Sequence, residues 1–174
     1  MAKCDQMENK VLVAYATKHG HTAEIAEKIG RVLKDDGLQV DIINVNKVKD
    51  IKQYTAVVVG TATYIATWRR EFLRFLAANE KYLATIPVWL FSSGPMGEGD
   101  PLELSQGWRY PENNKAYIDA IKPRDITVFQ GAIDLDKMGF FEKWVIKNVK
   151  APVGDFRDWN LITKWAESIA LSLK

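Results

Sequence analysis

Residues 11–22 read Val-Leu-Val-Ala-Tyr-Ala-Thr-Lys-His-Gly-His-Thr, an apolar run that passes without a break into a loop of hydroxyls, cations and one glycine. A continuous apolar run this short reads as a strand covered on both faces. Beyond it, Thr22, Ile25, Ala26, Ile29 and Leu33 recur at the helical period until Gly37 stops the pattern. The unit is therefore strand, short loop, helix. A loop in that position collects unpaired backbone N–H groups and the positive end of the helix dipole, so it is built for an anion. Neither G-x-G-x-x-G nor the Walker pattern occurs here. That disfavours a dinucleotide or a nucleoside triphosphate and leaves a monophosphate as the better fit.

The same unit recurs along the chain. Residues 40–45 alternate, with Asp41 and Asn44 among Val40, Ile42, Ile43 and Val45, as an edge strand with one less-covered face should. Ala56–Val59 is a third strand, followed by Gly60 and by a predicted helix carrying Trp68, Phe72, Phe75 and Leu76, with Thr67 as its candidate cap. Val88–Phe91 and Ile126–Phe129 are the fourth and fifth strands, with an amphipathic helix around Ala116–Ile121 between them. Trp159, Ile162, Trp165, Ala166, Ile169 and Leu173 mark the last helix, with Asp155 or Asp158 as N-cap. The expectation is an α/β fold: a doubly wound five-stranded parallel sheet with helices on both faces and a ligand at the carboxyl ends of the strands. Two connections, 92–114 and 134–157, are longer than such folds need. The expected organisation is one domain over 1–174, with 1–10 a flexible N-terminal segment.

Composition narrows the function. With 174 residues, 47% hydrophobic, and 24 Lys+Arg against 22 Asp+Glu, the formal charge is +2, too balanced for a module that binds nucleic acid by neutralising phosphates. Cys4 is the lone cysteine and His19 and His21 the only histidines, which cannot assemble a four-ligand zinc centre, and no metal is expected. The polar residues 1–10 and the absence of an apolar run of about 18 residues predict neither a signal peptide nor a spanning helix. A cytoplasmic protein is expected, with peripheral contact at the inner face of a membrane as an option.

Thr17, Gly20 and Thr22, with His19 in the place of a threonine, resemble the first loop of the flavodoxin-like family, Ser/Thr-x-Thr-Gly-x-Thr, which holds the phosphate of FMN. The resemblance covers the chain. It implies strand order 2-1-3-4-5, FMN as cofactor and three binding loops. The first is Thr17, Lys18, His19, Gly20, His21 and Thr22. The second is Thr61, Ala62, Thr63, Tyr64 and Ile65, with Tyr64 placed to stack on the flavin ring. The third is Ser92, Ser93, Gly94, Pro95, Met96 and Gly97, whose small residues let backbone N–H groups reach the ring edge. Further on, Gln130-Gly131-Ala132-Ile133-Asp134, the apolar and basic stretch through 141–149, and Gly154-Asp155-Phe156-Arg157-Asp158-Trp159 with Trp165-Ala166 resemble the flavodoxin-domain branch that includes menaquinone-dependent protoporphyrinogen IX dehydrogenase.

That resemblance implies an FMN-dependent two-electron oxidoreductase acting on a quinone or a porphyrinogen-like small molecule. The alternative is a carrier shuttling electrons between redox partner proteins, and a third reading is a fold that has lost flavin and serves interactions. The net charge is unlike the strongly acidic carriers, and Ile65 stands where carriers place a glycine that flips to stabilise one-electron-reduced flavin. Arg69 and Arg70 are candidates for stabilising anionic reduced flavin. Residues 137–150 read as a basic amphipathic stretch, with Phe140, Phe141, Trp144, Val145 and Val149 on one side and Lys143, Lys147 and Lys150 at i, i+4 and i+7. Such a stretch packs on the sheet, covers an acidic apolar substrate or meets a membrane surface. No general acid or base stands out; Glu98, Trp108 and Tyr110 are candidate substrate contacts.

Overall fold

The structure is a computed structural model that describes residues 10–64, 67–94 and 97–174. The expectations attached to Cys4, Ile65, Pro95 and Met96, and to 1–9 as a flexible segment, lie outside the described residues. Lys10, assigned to that segment from sequence, is instead the first residue of β1 (Lys10–Ala16).

Five strands form one parallel sheet. β1 lies between β2 (Gln39–Asn44) and β3 (Ala56–Tyr64), with Val13 opposite Ile42 on one side and Val58 on the other. A two-residue strand, β4 (Thr67–Trp68), folds back on the end of β3, and β5 (Val88–Ser93) and β6 (Asp125–Phe129) complete the order β2-β1-β3-β5-β6. With β4 set aside as an appendage of β3, this is the expected 2-1-3-4-5 winding.

Strand alternation divides the core in two. Val11 and Val13 of β1 face α1 (His21–Asp35) and α6 (Trp159–Ser172), where Ile25, Ile29, Leu33, Ile162 and Ile169 are buried. Leu12, Ala14 and Ala16 face α2 (Arg70–Leu83) and α4 (Lys115–Ile121), packing with Phe72, Leu76, Leu83 and Ile121. On the α6 side, Trp165 packs edge-on against Phe91 and Phe129 at 6.1 and 5.5 Å, and its indole N–H donates to Asp125 at 2.7 Å.

Two local expectations change. Trp68 is not on a helix, because Thr63 pairs with Trp68 and Tyr64 with Thr67 in an antiparallel ladder that turns the chain back before α2 starts at Arg70. The N-cap of α2 is therefore Arg69 and not Thr67, and Trp68 enters the core edge-on to Phe72 at 5.0 Å. The 92–114 connection also contains a short helix, α3 (Pro101–Leu104), nucleated by Asp100, whose carboxylate accepts from the N–H groups of Leu102 and Glu103. For α6 the cap is Asp158, which accepts from Asn160 and Leu161. Asp155 instead lies in a two-residue strand, β8 (Gly154–Asp155), paired antiparallel with β7 (Ala132–Ile133).

Gly60 in β3 has no room for a side chain, since a Cβ there would lie 2.0 Å from the Phe91 ring. That ring is held by Phe129 and Trp165 and cannot swing away freely. Gly60→Ala is expected to destabilise the fold by about 1–3 kcal/mol through overpacking, read as a lower midpoint in equilibrium urea unfolding.

Candidate functional site

The carboxyl ends of β1, β3 and β5 meet at one edge of the sheet, and the three loops picked out from sequence converge there. Gly20 is the N-cap of α1, with φ at +94°. That left-handed backbone suits glycine and turns the chain sharply into the helix. No side chain caps α1, so its first-turn N–H groups remain available to an anion. The two threonines of the loop bond elsewhere. Thr17 Oγ1 accepts from the N–H of Gly20 at 3.0 Å, closing the loop on itself. Thr22 is buried, and its hydroxyl shares a 3.0 Å hydrogen bond with Ser93 at the end of β5. Both residues shape the first loop and tie it to the third.

The second and third loops start from paired strands. Thr61 lies opposite Ser92 and Ala62 opposite Ser93. One step further, a Cβ on Gly94 would sit 2.8 Å from the carbonyl oxygen of Thr63, so the two loops pack directly against each other at their base. The hydroxyls of Thr63 and Ser92 are buried there without a hydrogen-bond partner among the described residues. Buried hydroxyls of this kind ordinarily have a partner. The Thr61 hydroxyl is turned back to the carbonyl oxygen of Ala62. Tyr64 stands at the mouth of the cleft, 42% exposed, and burial of its hydroxyl end raises its pKa, keeping it protonated. Gly97 lies past the two undescribed residues of the third loop, with φ at +115°.

The cationic side of the first loop is already engaged. Lys18 forms a close ion pair with Glu142, and His19 Nε2 lies 3.2 Å from the same carboxylate oxygen. The other Glu142 oxygen accepts from the N–H of Gly139 at 3.1 Å. Glu142 belongs to α5 (Phe140–Asn148), in the excursion between β7 and β8. The Lys18 hydrogen bond, assisted by Gly139 and His19, holds the Glu142 pKa down to about 2. A carboxylate thus occupies the cationic side chains where an anionic ligand group is expected.

His21 plays no such part. Burial first, then the positive Lys137 and Arg157, hold its pKa below the ordinary value, so the ring is neutral at neutral pH. Neither ring nitrogen has a hydrogen-bond partner among the described residues. The neighbouring Arg157, its side chain nearly buried, pairs with Glu24 and Asp155 at 2.6 Å each, donates to the carbonyl of His21 at 3.2 Å and stacks on Trp159 at 4.6 Å. It pins the β7–β8 excursion to the start of α1.

The remaining candidates differ in their surroundings. Tyr110 packs into the α2/α4 core, Glu98 is exposed, and Trp108 is half-buried. Arg69 is paired with Glu71, so its charge is already balanced, and Arg70 is exposed. Sequence reading quoted Arg157 only within the family resemblance and passed over Glu142. Glu142 carried one signal, a glutamate three residues after the helix cap Gly139, the spacing of a capping box.

The sequence profile of the flavodoxin-domain family matches residues 12–160, most of the chain. The chain belongs to the flavodoxin-domain family. Protoporphyrinogen IX dehydrogenase (quinone) of Escherichia coli strain K12 is 22% identical over 175 residues, an alignment spanning 92% of this chain and 94% of that one. Among solved structures, a flavodoxin from the domain Archaea superposes with a TM-score of 0.61 at 15% identity, covering 94% of this chain and 98% of that one. A flavodoxin from Streptococcus pneumoniae TIGR4 gives 0.58 at 16%, covering 94% and 99%. A flavodoxin-domain protein is a redox protein whose family implies a flavin cofactor. This chain's residues fit one: the uncapped helix start, the anion held by Lys18 and His19, and the partnerless hydroxyls of Thr63 and Ser92.

The Glu142 contact gives a direct expectation. Because the folded pKa is depressed, the clamp on α5 is complete above the carboxyl's ordinary value of 4.5 and is lost as pH falls toward 2. Glu142→Gln is expected to speed amide hydrogen exchange across 140–148 at neutral pH while leaving the strands protected. The difference from wild type should vanish toward pH 2.

Proposed function

We propose that the protein is an FMN-dependent oxidoreductase that handles electrons in pairs, with a quinone or a porphyrinogen-like molecule as substrate. The observation that carries the reading is the first loop, where an uncapped helix start, a left-handed Gly20 and the cations that grip Glu142 together form an anion site at the carboxyl end of β1. A flavin bearing a single phosphate matches it better than a bare flavin. The Escherichia coli relative, aligned over nearly its whole length, supports the substrate class.

In this reading the backbone N–H groups of Lys18, His19, His21 and Thr22 and the ammonium of Lys18 hold the phosphate. Thr17 fixes the turn, and the Thr22–Ser93 bond keeps the phosphate loop in register with the ring site. Thr61, Ala62, Thr63 and Tyr64 line one side of the ring and Ser92, Ser93, Gly94 and Gly97 the other. The hydroxyls of Thr63 and Ser92 supply hydrogen bonds to polar ring atoms. FMN, when bound, supplies the hydride chemistry. The protein's part is to bind, orient and exclude water, and a neutral, protonated Tyr64 covers the cleft mouth without adding charge.

The test is an anaerobic reductive titration of the FMN-loaded protein followed by absorbance, then turnover with protoporphyrinogen and menaquinone. Bleaching in one step, with quinone-dependent loss of the porphyrinogen, is the expected result. Build-up of a long-lived one-electron-reduced species without turnover would instead assign the protein as a carrier between redox partners.

A further inference from the structure

The excursion between β7 and β8 carries a helix that the core does not use. No residue of α5 is buried. With successive side chains roughly 100° apart around a helix, Glu142, Val145 and Ile146 share the inner side and are half-buried. The outer side bears Phe140 at 89% exposure, Phe141 at 72% and Trp144 at 56%, with the Phe141 and Trp144 rings stacked at 5.9 Å. This corrects the sequence expectation of aromatics and lysines on opposite sides. Val145 faces inward, and Lys143 and Lys147 stand among the outward aromatics. After the helix, Val149 and Val153 are also exposed, as is Lys150.

Three large aromatics within little more than one turn of a surface helix make an apolar patch that water does not favour. The charge around them has one sign. Lys143, Lys147 and Lys150 form no ion pair among the described residues. The one acid of the helix, Glu142, is turned inward onto Lys18 and His19. The half-buried Asp134 and the exposed Asp136 stay in the turn before the helix, where Asp134 accepts from the N–H of Asp136. Aromatic rings interleaved with lysines suit the boundary of an anionic bilayer, where rings enter the headgroup layer and ammonium groups meet phosphates.

We propose that α5 is the docking surface by which the protein rests on an anionic lipid bilayer. The helix lies along the surface and does not cross; among the described residues no helix is long and apolar enough to span. Glu142 sets the geometry, since it fixes the inner side of α5 to the 17–22 loop and so directs the aromatic side away from the protein. This inference stands on α5 itself and does not depend on which substrate the cleft takes.

The test is flotation of the full-length protein with phosphatidylcholine vesicles made with and without phosphatidylglycerol. The protein is expected to float with the anionic vesicles, and much less with neutral ones or at high salt. A Phe140→Ala/Trp144→Ala variant should lose flotation, and Lys143→Gln/Lys147→Gln should weaken it about fivefold for each lysine removed. Because these side chains are exposed, circular dichroism and the unfolding midpoint should not change in either variant. Failure of the wild type to float, or flotation indifferent to both variants, would overturn the proposal. So would a dimer in analytical ultracentrifugation that the aromatic variant dissociates, since the surface would then belong to a second copy of the chain.

Discussion

Everything at the site depends on β1 being paired on both sides. β2 lies against one edge of β1 and β3 against the other, all three parallel. The chain therefore leaves β1 toward one side of the sheet and returns to build the other, opening a crevice at the carboxyl end of β1. The 17–22 loop sits over that crevice. The burial of Val11, Val13, Leu12 and Ala14 on alternate faces holds β1 in the middle, and the left-handed Gly20 then presents the start of α1 outward. An anion site is the consequence of a core strand ending in a sharp turn.

The five parallel strands were legible as short apolar runs, with β2 marked as an edge by its alternation, whereas the two-residue strands β4, β7 and β8 are too short to leave a pattern. The start of α2 was not legible either, since Trp68 has the spacing of a helical residue and only the pairing of Thr63 with Trp68 removes it from the helix. α3 is too short to leave a periodic trace and rests on the cap at Asp100. The loops of the site could be read from their place after strands one, three and four. What the side chains do there could not. The turning of Glu142 onto Lys18, more than a hundred residues away in sequence, is a tertiary event with no local pattern behind it, and the burial of His21 beside Arg157 is another.

The β7–β8 excursion is what this chain adds to the parallel sheet. It is closed at its base by the pairing of Ala132 with Asp155 and Ile133 with Gly154, and pinned to α1 by Arg157. Among the described residues Glu142 links its helix to the 17–22 loop, through Lys18 and His19. The arrangement leaves α5 outside the core yet fixed beside the cleft, so the surface that meets the surroundings and the loop that meets an anion are joined by a single carboxylate.

The central claim is that the 17–22 loop recognises a phosphate. The most direct measurement compares the dissociation constants of FMN and riboflavin by quenching of flavin fluorescence on titration with the protein. Two or more charge-assisted hydrogen bonds to the phosphate predict FMN binding tighter by about a hundredfold or more. Equal affinities would contradict the account, because the loop would then contribute nothing to the ligand it is built to hold.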